Sequence, residues 1–259
     1  MPLTLSVAII AKNEEANLPR TLASVRWAEE IVIVDSGSTD RTAEIAREFA
    51  AKFFVEEWKG FGAQKNSALA KCSCDWVLSL DADEEVSPEL AEEIRALLRG
   101  QPQNEAYFLP RRNFFLGRPL RHGGYYPDPK LRLFRRGSAL FEERAVHETI
   151  RPTGPAGRLR GDLIHHAYPT LDDYIEHMNR YSALGATQAI ARGKTSRSPL
   201  AFFWNVWVVP IATFKYNYFL RLGFLDGREG FLLHLYHSAY VSWKYAKAWE
   251  QSRTERRSA

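Results

Sequence analysis

Short apolar runs alternate with stretches of helical spacing through the first hundred residues. Leu5 to Ile10 and Ile31 to Val34 are strand-like runs, and Phe53 to Val55 and Trp76 to Leu80 continue the series. Between them, Leu18, Leu22 and Val25 fall on one helical face, and Ala43, Ile45, Ala46 and Phe49 on another. Phe61 to Ala70 supplies a third helix, and Ser87-Pro88 marks the start of a fourth as an N-cap followed by proline. Strands and helices at this interval predict right-handed βαβ units, hence an α/β fold with a mostly parallel, Rossmann-like sheet flanked by helices. Ala106 to Pro110 and Lys130 to Phe134 read as further strands around a Gly/Pro/Arg-rich loop, a loop length expected to be functional or mobile.

The pattern changes in the second half. Residues 171–192 predict an amphipathic helix, and from Leu200 apolar and aromatic side chains crowd together: Phe202, Phe203, Trp204, Trp207, Val208, Val209 and Ile211. Asn205 and Pro210 interrupt this run, which is short for a membrane span. Tyr216, Tyr218, Phe219, Tyr236, Tyr240, Trp243, Tyr245 and Trp249 follow, interleaved with Lys and Arg. That mixture suits helices lying on an anionic bilayer, and equally suits packing against the rest of the chain or a second subunit. The expected organisation is a catalytic domain over 1–170, with halves 1–100 and 101–170, and a helical region over 171–259.

Composition narrows the class little. The chain has 259 residues, 45% hydrophobic and 25% charged, which is ordinary for a folded protein. Its net charge of +4 is unevenly placed: residues 111–136 hold seven arginines and one lysine against a single acid, Asp128. Such a segment attracts phosphates, or is simply a solvated basic face. Cys72 and Cys74 are the only cysteines, too close for an ordinary disulfide and without partners for a zinc set. His165-His166 has no carboxylate at ligand spacing in the sequence, so no metal site is expected there. The amino terminus shows no basic lead or cleavage site, and the expected location is cytoplasmic.

The chemistry sits where strands end. The first strand runs into Ala11-Lys12-Asn13-Glu14-Glu15, the second into Asp35-Ser36-Gly37-Ser38-Thr39-Asp40, and the fourth into Asp81-Ala82-Asp83. Open α/β sheets bind ligands at that edge, and paired carboxylates suit Mg²⁺ or Mn²⁺. Asp81 and Asp83 lie upstream of the Ser87 cap, so capping does not account for them.

This ordered set resembles the family 2 glycosyltransferases of the GT-A fold. Tyr126-Pro127-Asp128, Arg132-Leu133-Phe134-Arg135, Val146-His147-Glu148 and the stretch from Gly223 to Gly230 extend the likeness to lipopolysaccharide inner-core β-glucosyltransferases. The resemblance implies an inverting, metal-dependent transfer from a UDP-sugar, glucose by preference, to a core heptose. It places Ala11, Asn13, Glu14, Asp35, Ser36, Lys65, Asp81, Ala82 and Asp83 at the nucleotide-sugar, with a DxD motif whose Asp83 is the principal metal ligand and whose Asp81 lies near the ribose or a metal-bound water. Ser36 stands where many relatives carry a second acid. Lys65-Asn66 stands in place of Arg-Asn, keeping the charge but losing the bidentate fork.

Transfer from a nucleoside diphosphate sugar requires a stabilised leaving group, a base for the acceptor hydroxyl, and exclusion of water. Glu148 is the expected base, with Glu142 and Glu143 as competitors and His147 orienting it or binding phosphate. Arg132 and Arg135 are expected on one face of their strand, toward the diphosphate or an anionic acceptor. The basic loop, with Phe114, Phe115, Tyr125 and Tyr126, is expected to close over the donor. Asp226, Arg228 and Glu229 form a charged knot, either an acceptor contact or a turn with a local salt bridge. The implied partners are a UDP-sugar and a lipid-linked saccharide, at the inner face of the cytoplasmic membrane, with an oligomer possible. Transfer to a polyprenyl phosphate or another envelope glycan is the alternative. Nucleic acid is not expected as a partner, because three acidic strand ends repel a phosphodiester backbone. A nucleotidyltransferase is disfavoured, because the first strand end lacks a glycine-rich loop.

Overall fold

The computed structural model of the chain describes residues 2–142 and 150–258. The first half alternates as its apolar runs predict. Strand β1 (Leu5–Ala11) leads to α1 (Leu18–Ser24), β2 (Glu30–Asp35) to α2 (Thr42–Glu48), and β3 (Lys52–Val55) to α3 (Phe61–Ala70). β4 (Trp76–Asp81) then runs through the short β5 (Glu84–Val86) into α4 (Pro88–Arg99), where the Ser87 hydroxyl accepts from the Leu90 amide as the sequence predicts. β1 pairs in parallel with both β2 and β4, and β2 with β3. β1, β2 and β4 are buried on both faces, which is why they read as unbroken apolar runs. The four-residue β3 closes the edge, with Val55 exposed.

Beyond β4 the sheet turns antiparallel. β6 (Ala106–Phe115) is followed by the two-residue β7 (Arg118–Pro119), β8 (Asp128–Arg135), β9 (Ala139–Phe141), β10 (Ile150–Pro152), β11 (Ala156–Arg158) and β12 (Leu163–Tyr168). The order is β3-β2-β1-β4-β8-β6-β12-β5, with β8 antiparallel to both β4 and β6, and β12 antiparallel to β5. The sheet is therefore mixed. The parallel half carries crossover helices, and the later strands, joined without them, pair antiparallel except for β11, which lies parallel to β6.

The chain divides into two compact units, one of residues up to Arg112 with Asp128–His165, the other of Asn113–Pro127 with His166–Ala259. The first unit holds the sheet's main core, with Trp76, Leu78, Leu80, Ile9 and Ile33 essentially inaccessible. The second contains α5 (Leu171–Ala191), opened by a capping box between Thr170 and Asp173, then α6 (Pro199–Phe203), α7 (Val209–Lys215) and α8 (Gly227–Ser258). No described helix is long and apolar enough to cross a membrane.

Residues 113–127 belong to the helical unit, and the reason is chemical. Asp226, 3% exposed, accepts from the backbone amides of Arg121 and His122 and contacts His122 Nδ1 at 2.8 Å. Phe115 and Leu120 pack with Tyr174, Met178 and Leu233. The charged knot is thus a structural tie, completed by Arg118 to Glu229 at 3.7 Å. The loop's aromatics are held within this unit: Phe115 is buried, Phe114 stacks on His166, and Tyr125 lies against the His234 and His237 rings.

One buried carboxylate links the parallel strands at their opposite end. Glu30 accepts from Ser6 Oγ, from the Ser73 amide at 2.7 Å and hydroxyl at 2.9 Å, and pairs with Lys52 at 2.5 Å. Burial alone pushes its carboxyl up, but these donors outweigh it and bring the pKa down to about 2. The interaction contributes stability above the ordinary value of 4.5, and that contribution is lost as pH falls through about 2. Glu30→Gln is therefore expected to be less stable than wild type at pH 7, with the gap closing in acid. Urea midpoints measured across that range check this, and a gap independent of pH contradicts it.

Candidate active site

Backbone register brings three motifs to one edge. Ala11 stands opposite Asp35, and Ile10 opposite Asp81, so the carboxyl ends of β1, β2 and β4 form a row with β1 in the middle. At the usual strand spacing, Asp35 and Asp81 then flank β1 at backbone positions roughly 10 Å apart.

The β1 and β2 ends are laced together. The Asn13, Glu14 and Glu15 amides donate to Ser38 Oγ, Thr42 Oγ1 and Asp40 Oδ2 at 2.8, 2.8 and 3.0 Å. Asn13 takes a left-handed φ of 55°, and its side-chain oxygen accepts from the Thr39 amide at 2.9 Å. Asp35, 2% exposed, accepts from the Gly37 and Ser38 amides and the Ser38 hydroxyl. Gly37 at φ 83° lets the loop curl back onto that carboxylate. The neighbouring Ser36 Oγ is buried without a hydrogen-bond partner among the described residues. A buried, unpaired hydroxyl beside a strand end is a polar group that a ligand can satisfy.

At the β4 end the two aspartates part company. Asp81 pairs through Oδ1 with Lys65 at 2.6 Å and through Oδ2 with Arg132 at 2.5 Å. Arg132 also reaches Glu84 Oε1 at 2.9 Å, Arg111 reaches the same oxygen at 3.3 Å, and Arg111 pairs with Asp128 at 2.7 Å. Burial opposes ionisation of Asp81, but the charges of Arg132 and Lys65 outweigh it and hold the carboxyl well below its ordinary range. Arg132 is raised correspondingly: burial disfavours its charge, and Asp81 with Glu84 more than offsets that.

Asp83 faces a different partner. His165 Nε2 lies 3.2 Å from its Oδ2, brought there by the antiparallel register of β12 on β5, which sets His165 opposite Glu84. Burial pushes the Asp83 carboxyl up, but the hydrogen bond and charge of His165 bring it below its usual value. Glu14 moves the other way, raised by burial and by the negative charges of Asp83, Asp40 and Asp81.

These placements revise several expectations. His165 does have a carboxylate partner, 82 positions away in sequence, which spacing along the chain could not reveal. Arg132 is at the site and Arg135 is not. The pairing of β8 with β6 skips Arg132, and Arg135 pairs with Trp76 at the far end of β4, its guanidinium on Glu105 at 3.0 Å. The basic stretch is largely neutralised internally, since Arg111, Arg112, Arg118, Lys130 and Arg132 all hold carboxylates. Lys65 lies 7% exposed between Asp81 and the Phe141 ring. Its neighbour Asn66 donates to the Phe141 carbonyl at 3.0 Å and accepts from the Phe141 amide at 2.9 Å, fixing the strand that precedes 143–149. Glu143, His147 and Glu148 lie outside the described residues. Glu142 forms an ion pair with Arg151.

The Glycosyl transferase family 2 model matches residues 6–160, the span that contains every one of these strand ends. The chain belongs to that family. It is 35% identical to the lipopolysaccharide core biosynthesis glycosyltransferase LpsC of Rhizobium meliloti, over 96% of this chain and 93% of the relative. It is 31% identical to an uncharacterized glycosyltransferase of Rickettsia typhi, over 88% of this chain and 80% of the relative. Among solved structures, S. aureus TarS 1-349 in complex with UDP covers 98% of this chain at 16% identity, 92% of its own length and a TM-score of 0.48.

Both Asp81 oxygens are paired with cations, and Asp83 Oδ2 is paired with His165 Nε2; a divalent metal held by Asp83 and His165 would replace the hydrogen bond between them. Among the described residues no three His, Cys, Asp or Glu side chains gather as a metal cage, so the remaining ligands would be diphosphate oxygens and water.

The ion-pair chain makes a contrast in stability. Arg132→Ala leaves Asp81 and the inaccessible Glu84 without their shared cation, and is expected to cost about 3–5 kcal/mol. Arg135→Ala removes an exposed pair and should cost about 1 kcal/mol or less. Urea unfolding of the two variants at pH 7 measures the difference.

Proposed function

We propose that the chain is an inverting transferase that moves a hexose, glucose from UDP-glucose, onto a saccharide acceptor of the lipopolysaccharide inner core, most simply a heptose hydroxyl. The observation that carries this is the row formed by the β1, β2 and β4 ends, with Ser36 unpaired at one side and Asp83 beside His165 at the other. The likeness to the core glycosyltransferase LpsC over nearly the whole chain supports the acceptor class.

In this reading the laced loops after β1 and β2 hold the nucleoside, with Ala11, Asn13, Asp35 and Ser36 along its path. Asp83 and His165 would hold Mg²⁺ or Mn²⁺, which supplies charge to the departing diphosphate. Lys65 and Arg132 keep the Asp81 carboxylate in place and add positive charge next to the phosphates. Glu148 takes the proton of the acceptor hydroxyl. That oxygen forms a bond to the anomeric carbon as the bond to the β-phosphate oxygen breaks, so UDP leaves and the configuration inverts. A lipid-linked acceptor sets the reaction at the inner face of the cytoplasmic membrane.

Transfer assays with UDP-sugars and a heptose-bearing core acceptor test this, with Mn²⁺, with Mg²⁺ and with EDTA. Glu148→Gln is expected to lower kcat on the order of 10²- to 10⁴-fold while UDP binding persists. Asp83→Ala is expected to abolish metal-dependent transfer and weaken UDP binding in the presence of metal. Full turnover by Glu148→Gln would remove Glu148 from the role, and failure of the folded wild type to bind any nucleotide-sugar would overturn the reading.

A further inference from the structure

The helical unit presents an apolar surface that nothing in the described structure covers. From Pro199 to Leu220 the chain is continuously helical: α6, a π-helical turn over Trp204–Val208, α7, and a second π turn over Tyr216–Leu220. One side of this rod packs on α8, where Ser238 Oγ donates to the Pro210 carbonyl and Ser242 Oγ to the Val206 carbonyl, both at 2.9 Å. Val206 and Val209 pack there against Val241 and Tyr245. The other side carries Leu200, Phe203, Trp204, Trp207, Ile211 and Phe219, between 49% and 76% exposed. Leu220, 75% exposed, prolongs the stripe, and Leu222, Phe224 and Leu225 continue it past the last turn. Spacings of three and four residues set these side chains on one face. Each i→i+5 turn takes up an extra residue, which keeps the stripe from winding around the rod.

The charge pattern identifies the occupant. Residues 177–225 contain no Asp or Glu, and they carry Arg180, Arg192, Lys194, Arg197, Lys215 and Arg221. All six of these cations are exposed. An apolar, Trp-rich face on a segment whose own charges are all positive matches a bilayer interface with anionic headgroups, where Trp and Tyr settle at headgroup level and Lys and Arg meet lipid phosphates. A second copy of the chain would bring the same cations face to face and gain no such complement. The rod cannot stand upright in a membrane, because its inner side is held along α8 and no described helix is long and apolar enough to cross.

We infer that residues 199–225 lie flat in the interface of an anionic membrane, with Leu200, Trp204, Trp207, Ile211 and Phe219 inserted and Arg197, Lys215 and Arg221 on lipid phosphates. This rests on the proposed function only in assigning the membrane as the one that holds the acceptor. The contact itself requires no catalysis.

Co-sedimentation of the full chain with phosphatidylcholine vesicles, with and without phosphatidylglycerol, tests the inference. UDP binding is measured in parallel on every sample. Anionic vesicles are expected to bind at least about tenfold tighter than neutral ones, with binding weakened by salt. Trp204→Ser/Trp207→Ser and Arg197→Glu/Lys215→Glu, all exposed positions, are each expected to weaken it by about tenfold or more with UDP binding unchanged. Equal affinity for neutral vesicles, or full binding by both variants, overturns the inference. So does a wild-type dimer in light scattering that Trp204→Ser/Trp207→Ser converts to monomer, since a second copy then covers the face. Loss of nucleotide binding with vesicle binding intact counts against the transferase reading and leaves this one standing.

Discussion

Six alternating charges organise the candidate site: Lys65, Asp81, Arg132, Glu84, Arg111 and Asp128 follow one another through ion pairs of 2.5 to 3.3 Å. The chain starts on α3, passes the end of β4 and the middle of β8, touches β5 and finishes between β6 and β8. Taking such charges out of water costs about as much as their mutual attraction returns, so the network is not what makes the fold stable. Stability comes from the apolar core of which Trp76, Leu78 and Leu80 form part, directly behind Asp81. What the network does is fix position. Each carboxylate is held by at least one cation, and Asp81 cannot turn away from the sheet edge without exposing two buried cations.

This division of labour separates Asp81 from Asp83. Asp81 is neutralised from both sides, whereas Asp83 looks across β5 to a histidine on β12. The two-residue spacing of the motif thus serves two purposes. One carboxylate anchors Lys65 and Arg132, and the other meets His165. Asn66 extends the same arrangement by clamping the backbone of Phe141, the last residue of β9.

The legibility of the chain follows from the range of its interactions. The parallel strands, α3 and α4 were visible in the sequence because local pattern decides them: apolar runs buried on both faces, and a serine cap before proline. So was the common edge of the three acidic motifs, since parallel strands share a direction. His165 was not visible, because its meeting with Asp83 depends on the antiparallel pairing of strands far apart in sequence. The fate of the basic loop was hidden for a similar reason, because Asp226 ties it from more than a hundred positions away. Arg135 was misplaced by counting charges along a strand; its register opposite Trp76, at the far end of β4, separates it from Arg132.

In the proposed reaction Asp83 and His165, rather than Asp81, would hold the metal while a nucleoside diphosphate occupies the row of strand ends. A crystal structure of the protein with Mn²⁺ and UDP, using the anomalous signal of manganese, tests that directly. The account predicts the metal on Asp83 Oδ2 and His165 Nε2, with Asp81 still paired to Lys65 and Arg132. Manganese bound to Asp81, with Lys65 and Arg132 released from it, would contradict the account.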